Sequence, residues 1–212
     1  MRRKNVDKFE GFTKKDFDTF TIEGLEDRME AIQERIQPKF QLIGKTLTED
    51  ISALAGDEMF LHIAKHARRT KNPPNDTWLA ISANKRGYKK HPHFQVGLFD
   101  DHVFIWLAYI YELPNKKEIG HTFLQHIDDI QTKIPKNFVI SHDHTKKDAS
   151  TLGEIDLTKA LERFRDVKKA EFLIGQHVAA EDPLLKDGQA FLHFAKNTFE
   201  ALMPLYKLSI NE

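Results

Sequence analysis

Residues 103 to 111 read Val-Phe-Ile-Trp-Leu-Ala-Tyr-Ile-Tyr, nine apolar or aromatic positions without a charge. A bilayer span needs about 20 such residues, so this run belongs inside a folded protein. β-Branched and aromatic side chains suit a pleated sheet, and the run reads as a strand covered on both faces. Upstream, residues 93–99 alternate, with Phe94, Val96 and Leu98 on one face. Asp100-Asp101-His102 between the two is a short polar connection of the kind that closes a hairpin. The reading is a hairpin over 93–111 whose second strand lies in the middle of a sheet. Trp106 is therefore expected in the core.

The rest of the chain supplies elements to surround that strand. Thr13, with Asp16 three positions on, marks a helix start, and Phe17 and Phe20 share its face. Leu25, Met29, Ile32 and Ile36 recur at helical spacing up to an interruption at Pro38. A third helix carries Ile43, Leu47, Ile51 and Leu54 and stops at Gly56. Residues 59–67 and 77–82 read as strands joined by a turn-rich connection, Asn72-Pro73-Pro74-Asn75-Asp76.

Beyond Pro114, Asn115 heads a helix through Ile119, Phe123, Ile127, Ile130 and Ile134. Phe138 to Ile140 suggests a short strand, and His142 to Ser150 a polar loop. Asp156 or Thr158 starts a further helix, and 172–178 is a sixth strand. The last helix begins near Asp187, with a kink or early end at Pro204. Without a repeat or linker, this is one α+β domain over 1–212: a central antiparallel or mixed sheet with helices packed on it, in two layers.

The 212 residues suffice to bury roughly 70–75% of the unfolded surface without a metal or disulfide staple. The absence of cysteine excludes disulfides, thiolate nucleophiles and Cys-ligated metals. The start, Met1-Arg2-Arg3-Lys4-Asn5, leads into no apolar run, and no segment is long enough to span a membrane. A cytoplasmic protein without a membrane partner is the expectation.

Charge is neutral in total but uneven. Between 60 and 95 stand eight Lys and Arg (65, 68, 69, 71, 85, 86, 89 and 90) against Asp76 alone. His62, His66, His91 and His93 fall in the same stretch. Such a local positive field suits an anionic ligand, since guanidinium groups bind phosphate in a fork and lysines add point charge. The candidate ligand-binding residues are His62, His66, Arg68, Arg69, Lys85, Arg86, Tyr88, Lys89, Lys90, His91 and His93. Tyr88 and Trp78 add stacking surfaces of the kind single-stranded nucleic acid uses. The plainer reading of the same stretch is a solvated basic loop.

Other constellations carry less. His62 and His66 lack the Glu that a metalloprotease helix needs after its first His, Ile63 standing in that place. A two-His metal site would need a third ligand from His91, His93, His142, Asp143 or His144. Surrounding cations oppose it, and no metal or other cofactor is expected. Ser141-His142-Asp143-His144 has acid–base residue types but no strained nucleophile turn, and reads as a polar loop. No Gly-rich phosphate loop exists.

Three long stretches, 62–78, 84–94 and 172–178, resemble the YktB family of bacterial proteins, and the resemblance extends along essentially the whole chain. It implies a cytoplasmic single-domain α+β protein with no established activity, so no functional residues carry over. The family is associated with a topology like that of the biotin-ligase catalytic domain, a fold-level analogy without chemistry. Three functions stay open: a binding module for a phosphorylated small molecule or nucleic acid, an enzyme using the same His, Arg and Lys residues, or a protein-interaction scaffold.

Overall fold

The structure is a computed structural model that describes residues 8–210. The basic start of the chain, read above as carrying no secretory signal, lies outside them. Seven strands form one open sheet, antiparallel at every pairing, in the order β1-β2-β3-β4-β7-β5-β6. The strands are β1 (Phe60–Ile63), β2 (Thr77–Ser82), β3 (His93–Leu98), β4 (His102–Tyr109), β5 (Val139–Ser141), β6 (Ser150–Thr151) and β7 (Phe172–Ala179). All eight residues of β4 are buried, and Trp106 is only 4% exposed. The uncharged run sits at the sheet's centre, as its composition requires, between β3 and β7.

One face of the sheet carries Leu79, Ile81, Phe94, Val96, Ile105, Leu107, Tyr109 and Ile174. Helices cover it: α3 (Gln37–Ala55) with Phe40, Ile43 and Leu47, α4 (Lys116–Gln125) with Ile119 and Phe123, α6 (Leu157–Asp166) with Leu161 and Phe164, and α7 (Gly188–Ile210) with Phe191, Phe199 and Leu202. Phe94 meets Phe199 and Tyr206 at 5.1 and 5.0 Å between ring centres, and Tyr109 meets Phe123 at 5.1 Å. Such edge and tilted contacts add about 0.5–1.5 kcal/mol each beyond area burial.

The opposite face carries a smaller cluster of Phe99, Phe104, Trp106, Ala108, Ile110 and Leu173, to which no helix contributes. Three loops reach onto it instead, through His66, Tyr88, His144 and Ala149. Polar side chains therefore gather on this face.

The ends of the elements follow local chemistry. Thr13 and Asp16 form the expected capping box at α1 (Lys14–Phe17). Gly56 ends α3 at φ 77°, its N–H donating to Ser52, and Asp156 caps α6 by accepting from the Lys159 N–H.

Four expectations are corrected. Pro38 does not interrupt the helical layer. After α2 (Leu25–Ala31) a π-helical turn, Ile32–Ile36, leads straight into α3 and puts Pro38 in its first turn, where a missing N–H is tolerated. Of the two readings of Pro204, a kink or an early end, the early end fails, since α7 runs through it to Ile210. The helix after Asn115 divides at His126 into α4 and α5 (Ile127–Lys133). β1 is four residues rather than nine, ending at Ile63, and His66 beyond it has φ +48°, outside the extended region.

Candidate functional site

β1 is an edge strand, and the connection from β2 to β3 folds beside it. Asn84 shapes that connection, its side-chain oxygen accepting the Arg86 N–H at 2.8 Å. His91 N–H closes a turn onto the Tyr88 carbonyl at 3.0 Å. His62 donates from Nε2 to the Asn84 carbonyl at 2.9 Å, pinning the connection to β1. Tyr88 is the second anchor: its hydroxyl accepts from Trp78 Nε1 at 3.0 Å, and its ring packs on His93 and His62 at 4.9 and 5.5 Å.

A groove of about 660 Å³ lies between β1 and this connection. Leu61, His62, Ile63, Lys65, Asn84, Arg86, Gly87, Tyr88, Lys89, Lys90, His91 and Glu112 line it. Lys65, Arg86, Lys89 and Lys90 are exposed, and Lys89 lies 3.5 Å from Glu112, the one carboxylate in the wall. Of the eleven candidate residues, His62, Arg86, Tyr88, Lys89, Lys90 and His91 thus meet in one groove, joined by Lys65.

The other five stand apart from its lining. Lys85 places its ammonium 6.0 Å over the Phe60 ring. His93 is fully buried beneath Tyr88: Nδ1–H donates to the His91 carbonyl at 2.8 Å, and Nε2 accepts from Gln95 at 2.9 Å. Burial, opposed only in part by the His91 carbonyl, lowers its pKa to about 4. Arg68, Arg69 and His66 belong to the 64–76 loop. Arg69 reaches the carbonyls of Asn72 and Pro73 at 3.4 and 3.5 Å. His66 bonds Thr77 Oγ1 at 3.1 Å and meets Trp78 edge-on; burial, then Arg69, lowers its pKa to about 4.

A second polar cluster gathers beyond Trp78. Glu171, at the start of β7, is buried and accepts the His144 N–H at 2.8 Å, and its carboxylate oxygens lie 2.8 and 2.9 Å from His144 Nδ1. Burial disfavours charge on His144, but Glu171, Asp76 and Asp143 together outweigh it and raise its pKa. Asp76, also buried, has its pKa pushed up to about 6 by burial, against the pull of His144 and Arg69. Asp143, His144 and Glu171 each bring a potential ligand atom within 4.8 Å of the other two.

Sequence reasoning missed Asp76 and Glu171. Asp76 had one signal, as the single acid in a basic stretch. Glu171 had none, since its partner stands 27 positions away. His62 and His66 use Nε2 for Asn84 and Thr77, and neither belongs to the group of potential ligands formed by Asp143, His144 and Glu171.

A wider groove of about 790 Å³ runs along residues 8–18 and includes Lys39, Asp100 and Glu181. Its Lys39 ammonium is already held by Asp16 at 2.6 Å and by the Gly11 carbonyl at 2.9 Å. Charge is matched there, and nothing selects an anion.

Comparison with known proteins reaches nearly the whole chain. Residues 12–206 match the family described as Domain of unknown function (DUF1054). A UPF0637 protein of Oceanobacillus iheyensis is 63% identical over 201 residues, covering 95% of this chain and 97% of its own. Others from Shouchella clausii and Listeria monocytogenes are 60% and 52% identical, covering 94% and 95% of this chain and 95% and 98% of their own.

Proposed function

We propose, from the premise that this chain belongs to the DUF1054 family, that it is a binding module for an anionic ligand held in the groove between β1 and residues 84–91. The observation that carries this reading is the convergence of Lys65, Arg86, Lys89 and Lys90 on one groove against a single carboxylate, Glu112. His62, Tyr88 and His91 line the same space and add hydrogen-bonding groups beside the charges. Arg68, Arg69 and Lys85 extend the positive field around it, while His66 and His93 support the loops that frame it.

Between the two ligand classes, size favours a phosphorylated small molecule. A volume of about 660 Å³ falls within the range of roughly 300–1,000 Å³ that small-molecule sites occupy. A nucleic-acid strand would need a longer track of cations and stacked rings. No helix among the described residues is long and apolar enough to cross a membrane, and the reading is of a cytoplasmic protein acting on a soluble ligand.

The test is calorimetric titration of pyrophosphate, nucleotides and single-stranded oligonucleotides at low and moderate salt. The wild type is compared with a Lys65→Ala, Arg86→Ala, Lys89→Ala triple variant. Binding by the wild type and its loss in the variant support the reading. No binding by the wild type at low salt, or equal binding by the variant, refutes it. A strand would reveal itself by a steep fall in affinity with salt as counterions are released, and a small phosphorylated molecule by a shallow one.

A further inference from the structure

Three carboxyl groups, those of Asp76, Asp143 and Glu171, act on the His144 imidazole beside the sheet face that the loops cover. Glu171 and Asp143 flank His144, with one potential ligand atom from each of the three residues within 4.8 Å of the others. Among the described residues this is the one such group of His, Cys, Asp or Glu. Asp76 faces it from the start of β2. That residue is buried, and its carboxyl group and the His144 imidazole act on one another electrostatically. A buried carboxylate is costly unless it is paired, hydrogen-bonded or bound to a metal.

The cations in reach do not settle the balance. Lys146 touches Asp143 at 3.8 Å from an exposed position, and Arg69 is engaged with backbone carbonyls. Burial and hydrogen bonding already hold the imidazole and Glu171 in place, so the donor set is preorganised. The Glu171 carboxylate accepts the backbone N–H groups of His144 and Tyr111, which aims it at the His144 ring.

We propose that Asp143, His144 and Glu171 bind a divalent transition-metal ion, with Asp76 completing the negative environment on the sheet side. The ion takes the place of the proton between His144 Nδ1 and Glu171, and that proton leaves to solvent. One imidazole nitrogen with carboxylate oxygens suits Zn²⁺ or Mn²⁺; Ca²⁺ and Mg²⁺ favour all-oxygen shells. The site stands independently of the anion groove, since Trp78 and Tyr88 lie between the two.

The experiment uses the full chain, free of any purification tag and stripped with EDTA. Zn²⁺ and Mn²⁺ are titrated separately by calorimetry while tryptophan emission is followed, because the Trp78 ring centre is 6.1 Å from that of His144. The expected result is one ion per chain, with a change in emission that saturates at the same ratio. His144→Ala and Asp143→Asn should each weaken binding by at least about tenfold, since even the groups that only orient a metal's ligands act on a scale of about 10–100-fold. Glu171→Gln is a poor test alone, because Glu171 also anchors backbone, so Asp143→Asn and Asp76→Asn, with circular dichroism to check folding, keep the outcome readable. The proposal is overturned if the wild type takes up neither ion at millimolar concentration. It is equally overturned if His144→Ala and Asp143→Asn, both folded, bind as the wild type does.

Discussion

Gly175 lies in β7 opposite Trp106 of β4, at the centre of the sheet. A Cβ built at this position would stand 1.8 Å from the Ile105 carbonyl oxygen, 2.9 Å from its carbon and 3.2 Å from Trp106 Cα. All three are backbone atoms of the central strand, so no side chain can turn aside to relieve the overlap. Gly175→Ala must push β4 and β7 apart and lengthen ladder hydrogen bonds. Overpacking in cores costs roughly 1–3 kcal/mol, and a backbone clash against the fully buried central strand belongs at or above the upper end, about 3 kcal/mol. For a chain of this size that corresponds to a fall in Tm of about 6–12 °C. Gly87→Ala is the control, because no atom lies within 4 Å of a Cβ added there. Urea denaturation and thermal scans of both variants decide the matter. If Gly175→Ala stays within about 1 kcal/mol of the wild type, the β4–β7 pairing described above is wrong.

Further outcomes follow from the same arrangement. Trp106→Ala removes a core aromatic and should cost about 3–5 kcal/mol by urea denaturation; a cost below about 1 kcal/mol, typical of surface changes, would contradict its burial. His93 and His177 have pKa values lowered to about 4 and about 3, chiefly by burial, so each is neutral in the folded chain while its unfolded form titrates near 6.5. Their contribution to stability is therefore level above pH 6.5 and falls as pH drops toward 4, by up to about 3 kcal/mol for fully buried His93, while the raised pKa values of Asp76 and His144 act in the opposite sense; an equal pH dependence of the urea midpoint in His93→Gln and wild type between pH 7.5 and 5 would refute this. Asp156→Ala removes the cap on the Lys159 N–H and should lower the urea midpoint slightly.

What the sequence displayed were features carried by neighbouring residues. The run 103–111 announced a central strand because no other environment accommodates Trp106, Tyr109 and their neighbours. The capping box at Thr13 and Asp16 and the stop at Gly56 were legible for the same local reason. The pairing of β4 with β7 was not, since some seventy residues separate them and any apolar strand satisfies a buried neighbour. The prolines misled where context overrode propensity: a π-helical turn ahead of Pro38 lets the helix restart, and Pro204 is carried within a long helix buried along one side. The early end of β1 at Ile63 and the left-handed backbone at His66 beyond it were not signalled by residue identity.

The candidate site divided along the same line. The basic residues of 84–91 were countable, and their turn brings Arg86, Lys89 and Lys90 beside Lys65 and His62. Arg68 and Arg69 were equally countable but sit in the 64–76 loop and do not line the groove. Glu171 and His144 come together only through the pairing of strands distant in sequence, so neither composition nor spacing revealed them.

The anion groove is tested most directly by mapping it. In a ¹⁵N-labelled sample, pyrophosphate titrated at low salt should shift the amide signals of residues 61–65 and 84–91 progressively and to saturation. Signals from β5, α6 and the far end of α7 should stay in place. Movement confined to that groove is the predicted result. Shifts centred elsewhere, or none up to millimolar pyrophosphate, would contradict the assignment.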